Sequence, residues 1–93
     1  MGHGVVREGD MAIHGGYSPQ YPTQFSPNVM VDGLRVVIKG CPYSMHSNGD
    51  DTHDGVAVGE GTVFCNGQPL QCVGNKVSCG SIMVQGSGSV SIG

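Results

Sequence analysis

The sequence has no tryptophan, three tyrosines and two phenylalanines, which excludes a large aromatic core. Charged residues make up 12% of it, the four Lys and Arg are scattered, and the formal net charge is −3. Phosphate binding needs clustered cations, so no nucleic acid partner is expected. No apolar run is long enough to span a membrane, and the N-terminus lacks the apolar stretch of a signal peptide. The expectation is a protein made in the cytoplasm; if it leaves the cell, it does so by a route not written in a cleavable signal. No segment sustains a helical period with caps. Nucleophile elbow, phosphate loop and dinucleotide fingerprint are all missing, so neither an enzyme nor a small-molecule substrate is expected.

Glycine is abundant instead, at 17 of 93 residues, with neither a three-residue period nor a low-complexity run. Many tight turns follow from it. The length suits one domain, residues 1–93, in a size range where a single core is modest. With 38% hydrophobic residues, such a core often needs a disulfide set or a metal as a staple. The even count of four cysteines would allow disulfides in an oxidising compartment.

A repeat organises the chain. Val29, Val31 and Asp32-Gly33 are followed by Val36, Val37 and Ile38, a hairpin signature of two β-branched runs about an Asp-Gly step. Thr62 to Cys65, Asn66-Gly67 and Pro69 to Val73 form a second copy displaced by 34 residues. In that register Cys65 and Cys72 occupy the slots of Val31 and Ile38 and read as small core residues. Gly59-Glu60-Gly61-Thr62-Val63 recurs as Gly86-Ser87-Gly88-Ser89-Val90, entering a last strand. The chain stops at Gly93, where a third Asn-Gly or Asp-Gly step would begin. Val5-Val6-Arg7 reads as a first short strand. Residues 17–27, rich in Pro, Tyr and Ser, read as an extended surface loop, and Cys41 to Gly55 as a polar connection. The fold class is all-β, built of short strands and hairpins in pseudo-repeats.

The same repeat places metal-type donors at equivalent points. Cys79 lies five residues after Gly74, His14 five after Gly9, and His46 six after Gly40. His53 is near enough to supply a fourth ligand. A set of His14, His46, His53 and Cys79 suits tetrahedral Zn²⁺, with iron the second choice. Four protein ligands leave no position for water or substrate, which is the structural arrangement. His3 is a rival for one position, although a side chain so near a terminus is expected to be mobile. The bland alternative is a set of solvated loop histidines. Asp50, Asp51 and Asp54 lack the alternation and closing Glu of a calcium loop and read as a solvated turn.

The stretch from Gly61-Thr62-Val63-Phe64-Cys65-Asn66-Gly67-Gln68-Pro69 through Gly74-Asn75-Lys76-Val77-Ser78-Cys79-Gly80 to Gly86-Ser87-Gly88-Ser89-Val90 resembles the PAAR-repeat family. These are spike-tip proteins of type VI secretion systems and contractile phage tails, and the likeness spans nearly the whole chain. The naming tetrad is Pro69-Leu70-Gln71-Cys72 here and Arg35-Val36-Val37-Ile38 in the first copy, and Gly-Asp has become Gly74-Asn75, so the resemblance is to a divergent member. It implies a cone of short strands with its metal near the vertex. The base of the cone would sit on a homotrimeric β-helical spike, one tip per trimer. The implied function is mechanical, capping and sharpening the spike to pierce a target membrane, at a phage tail tip or secreted with the type VI spike. With nothing after Gly93, no effector domain of its own is expected. The rival readings are a free-standing zinc-stabilised β binding module and a small hydrolase with an incompletely ligated zinc.

Overall fold

The hairpin steps form as their chemistry requires. Asp32 and Asn66 have positive φ (56° and 54°), and so do Gly33 and Gly67 (79° and 81°). Two consecutive left-handed residues make the turn whose twist matches the flanking strands, and Asp, Asn and Gly are the residues that tolerate it. The computed structural model describes residues 3–92; Met1, Gly2 and Gly93 lie outside the described residues. Its strands are β1 (His3–Gly4), β2 (Ala12–Ile13), β3 (Met30–Val31), β4 (Leu34–Arg35), β5 (Pro42–Ser47), β6 (Thr52–Val56), β7 (Phe64–Cys65), β8 (Gln68–Pro69), β9 (Ile82–Met83) and β10 (Ser91–Ile92). Among the described residues there is no helix.

β3–β4 and β7–β8 are the two expected hairpins. The third is assembled from opposite ends of the chain, because β10 pairs antiparallel with β1, Ile92 against His3 and Ser91 against Gly4. The first strand therefore begins earlier than expected, at His3–Gly4. Val5 and Arg7 lie beyond it in isolated bridges to Cys72 and Val36. The correction has a physical cause: β-branched propensity marks Val5-Val6, but strand pairing depends on which segment the termini bring alongside.

The three units are joined in a closed ring of backbone hydrogen bonds. Val6 N–H donates to Gln71 O (3.0 Å), Gln71 N–H to Val37 O (3.0 Å), and Val37 N–H to Val6 O (2.9 Å). One layer away Glu8 donates to Arg35 O (2.8 Å), Lys39 to Pro69 O (2.9 Å) and Val73 to Gly4 O (2.9 Å). Each unit thus donates to one neighbour in the first layer and to the other neighbour in the second, around a pseudo-three-fold axis. Val6 and Val37 are fully buried at the ring, and each such side chain contributes roughly 1.5–3 kcal/mol. Gln71, the third equivalent, is equally buried. Its amide is satisfied by Gly59 O (3.0 Å), Pro69 O (3.1 Å) and Gly59 N–H (2.9 Å), so the polar side chain costs little. Cys65 is buried as expected, whereas Cys72 is only half-buried beside Asn75 Oδ1.

Two stretches depart from the sequence reading. Cys41 to Gly55, read only as a polar connection, contains most of the longest pairing among the described residues, β5 with β6. Its inward residues include His46, and its outward ones face solvent, so the segment looks polar throughout. The 17–27 segment is not all surface, for Gln20, Pro22 and Ser26 are buried. It runs beside β2 and β5, through Ala12–Gln20 hydrogen bonds in both directions and Ser44 N–H to Tyr21 O (2.8 Å). The result is a small all-β cone measuring 37 × 26 × 22 Å.

Turn residues also lock neighbouring units together. Asp32 accepts from Ser87 Oγ (2.5 Å), Ser89 Oγ (2.6 Å) and Arg7 Nη1 (2.8 Å). Asn66 does the same at the next corner, donating to Ser26 Oγ (2.8 Å) and Asn28 Oδ1 (3.1 Å). The hydroxyls of Ser87 and Ser89, then Arg7, hold the Asp32 carboxyl below its ordinary value of 3.8. A depressed folded-state pKa stabilises above the unfolded value, and that stability disappears as pH falls through the folded one. Asp32→Asn copies the Asn66 turn and removes only the charge. It should lower Tm at neutral pH, and its gap to the natural chain should close as pH drops below 3.8. A gap unchanged into strong acid would contradict this role for the carboxylate.

Candidate metal centre

Each unit, having passed through the ring, delivers a donor to the same end of the cone. His14 follows β2, and the pairs Ala12–Met83 and Ile13–Ile82 place it beside β9, just after Cys79-Gly80-Ser81. The Cys79 loop is pinned to β6 by Ser78 N–H to Val56 O (2.8 Å) and Val56 N–H to Ser78 Oγ (3.0 Å). Gly55 makes that approach possible, since a Cβ there would lie 2.8 Å from Val77 Cγ1 and 3.1 Å from Cys79 N. His53 on β6 is the cross-strand partner of His46 on β5. Between Tyr43 and His46 the register shifts by a β-bulge, which accommodates the one extra residue separating Gly40 from His46.

The structure brings all four sequence-predicted donors together. One ligand atom from each of His14, His46, His53 and Cys79 lies within 4.8 Å of the others. His46 Nε2 is 2.8 Å from His53 Nε2 and 3.8 Å from Cys79 Sγ. A tetrahedral ion with bonds near 2.0–2.3 Å sets neighbouring ligand atoms about 3.3–3.6 Å apart, which the side chains reach by shifts of up to roughly an ångström. Three imidazoles and one thiol are the donor set that zinc and iron both accept. His14 Nδ1 is buried and has no hydrogen-bond partner. A buried ring nitrogen without a partner, on one of four residues whose ligand atoms group together, leaves a valence that a bound ion could satisfy. The residues therefore fit a metal. His3 is exposed on β1, paired with Ile92, and does not belong to the group.

Around the donors lie Tyr17, Ser18, Gln20 and Ser81, which the sequence did not single out, and Asp51, which it assigned to a solvated turn. His46 Nδ1 donates to Ser18 O (2.9 Å). His53 Nδ1 is 3.3 Å from Asp51 Oδ2, which also accepts from Tyr17 Oη at 2.8 Å. Hydrogen bonds from Tyr17 and then His53 lower the Asp51 pKa, and the same Asp51 contact raises that of Tyr17. The Cys79 thiol donates to Gln20 Oε1 (3.3 Å) and lies 3.4 Å from Ser81 Oγ. Asp51 stands two residues before His53; its carboxylate is exposed, as a solvated turn implies, yet it reaches the His53 ring. Tyr17 and Ser18 sit in the segment read as surface, and only the fold shows that they reach the histidines.

Three β units closed in a ring, with four donor side chains gathered at one end, define a small all-β cone with a candidate metal centre. Residues 22–85 match the PAAR motif, well over half of the chain, and the protein belongs to the PAAR-repeat family. The family is one of structural spike-tip proteins of contractile injection systems, found in phage tails or type VI secretion machinery and associated with a spike partner. His46, His53 and Cys79 fall inside the matched span and His14 precedes it. No curated protein matches the chain.

The four cysteines are all free. Reductant should accordingly leave Tm unchanged, while a strong chelator should lower it steeply. Cys79→Ala should unfold or loosen the tip, whereas Cys65→Val should cost less than about 1.5 kcal/mol, being close to volume-conserving at a core position. Thermal melts of the three proteins with and without chelator give the comparison. A protein that melts with reductant but resists chelation would reverse the ranking.

Proposed function

We propose that this chain caps and sharpens the blunt end of a homotrimeric β-helical spike, one tip per trimer, and is driven with it through a target membrane when the machine contracts. The reading rests on a set of exposed apolar residues at equivalent positions of the three units. Val29, Val63 and Val90 are 37%, 43% and 42% exposed, and the next residues in two units, Met30 and Phe64, are 56% and 60% exposed. Their equivalence is set by the backbone, since Val29, Val63 and Val90 each offer a carbonyl to Val36, Leu70 and Val5 in turn (3.1, 2.8 and 3.0 Å). In this reading the repeated apolar side chains belong to the surface that meets the spike. Unpaired strand edges beside them favour the addition of further strands.

In this proposal a zinc ion is held by His14, His46, His53 and Cys79. It supplies cross-linking rather than catalysis, because four protein ligands close its coordination sphere. Structural zinc contributes about 10–16 kcal/mol of apparent binding free energy, comparable to the whole stability of a small domain. A tip so stapled can bear load without a large core. The chain's pseudo-three-fold symmetry also explains the stoichiometry: a single asymmetric chain closes a three-fold end without being trimeric itself.

Mass measurement of the complex reconstituted with its spike should give one copy of this chain to three of the spike. Binding should persist at high salt, since apolar and backbone groups dominate the contact. A three-to-three complex, or association that vanishes at moderate salt, would sink the capping reading and favour a free-standing zinc-stabilised binding module.

A further inference from the structure

We infer that Tyr17, Ser18 and Asp51 form a latch over the four-donor group, presetting which ring nitrogens ligate the metal and slowing its release. The inference rests on the metal reading above and assigns a role to the segment that begins at Tyr17. Its first support is the placement of one aromatic ring against three histidines. The Tyr17 ring lies 4.6 Å from that of His14 and 4.8 Å from that of His46, both stacked, and 4.5 Å from that of His53. No ring packed only for its apolar area needs three imidazoles as its neighbours.

The second support is the hydrogen-bond pattern. A metal-bound imidazole usually donates its other N–H to a carbonyl or carboxylate, which fixes both tautomer and ring orientation. Ser18 O takes that position on His46 Nδ1, and Asp51 Oδ2 takes it on His53 Nδ1. Each bond leaves Nε2 for a metal, and the two Nε2 atoms face each other at 2.8 Å. Asp51 is itself oriented from two sides. Its N–H donates to Asn48 Oδ1 (2.7 Å), which holds the β5–β6 turn, and its carboxylate receives the Tyr17 hydroxyl. Tyr17 is anchored by its own N–H to His14 O (2.9 Å), and Ser18 N–H donates to Ser47 O (3.0 Å). The latch therefore spans from the His14 loop to the β5–β6 turn and closes over the donors between them. Ion loss requires the imidazoles to rotate away, and these contacts oppose that rotation.

The test follows zinc transfer from the zinc-loaded full chain to an excess of chromogenic chelator. Asp51→Ala should accelerate release by about 10–100-fold, if the usual loss of affinity on removing a metal ligand's hydrogen-bond partner falls on the off-rate. Tyr17→Phe keeps the ring stack, should accelerate release less, and should add nothing in the Asp51→Ala background, since the hydroxyl acts through that carboxylate. Asp54→Ala removes a nearby exposed carboxylate and should stay within about two-fold of the natural chain. With Co²⁺ in place of Zn²⁺, the visible absorption bands should shift in Asp51→Ala and not in Asp54→Ala, a change that mere destabilisation would not produce. Equal release from the natural chain, Asp51→Ala and Asp54→Ala, or additive effects of Tyr17→Phe and Asp51→Ala, would overturn the latch and leave the metal site standing. Should Asp51→Ala fail to fold, Tyr17→Phe decides, and release at the natural rate would count against the latch. A natural chain that folds yet takes up no zinc would remove the site, and the latch with it.

Discussion

The closed ring of backbone hydrogen bonds through Val6, Gln71 and Val37 is the constraint on which the rest of the structure depends. Two-residue strands are too short to be stable as isolated hairpins. Linked donor to acceptor around an axis, they support one another. The ring also sets direction: each chain segment enters from a hairpin, crosses the ring and leaves toward the donor end. Hairpins and donors are thereby sorted to different parts of the molecule. One end presents Val29, Val63 and Val90 to solvent, and the other collects three imidazoles and a thiol.

Pseudo-symmetry is kept where backbone geometry needs it and abandoned where chemistry differs. The ring position is valine in two units and glutamine in the third, where the amide clamps Gly59. The turn residue is Asp32 in one hairpin and Asn66 in the next, and each grips the preceding loop of a neighbouring unit through serine and asparagine or serine alone. One donor loop carries a β-bulge and a second histidine on the returning strand, so three units deliver four donors. A tetrahedral ion needs four, and a strict three-fold repeat would supply three or six.

Much of this was legible in the sequence, for identifiable reasons. Asp32-Gly33 and Asn66-Gly67 announce their turns because few residues accept positive φ. Three of the donor positions were visible as metal-type side chains five or six residues after a recurring glycine, and His53 by its nearness to them, even though a helix or finger spacing was missing. The hairpin of β1 and β10 was hidden because its halves lie at opposite ends of the chain, and no local pattern reports that pairing. β5 and β6 were hidden because their inward positions include His46, which counts as polar in any periodicity. Gln20 and Ser26 misled in the same way: both are buried, and both meet their hydrogen-bonding needs inside the protein. Tyr17, Ser18 and Asp51 matter through the neighbours that folding gives them.

The central claim is that one metal ion ties the three units together at the tip. The measurement that tests it most directly is X-ray absorption at the metal edge, with elemental quantitation, on protein purified without added metal. About one equivalent of zinc per chain is expected, bound by three nitrogen ligands near 2.0–2.1 Å and one sulfur near 2.3 Å. Fully folded protein holding less than half an equivalent of any transition metal, or a metal shell without sulfur, would contradict it.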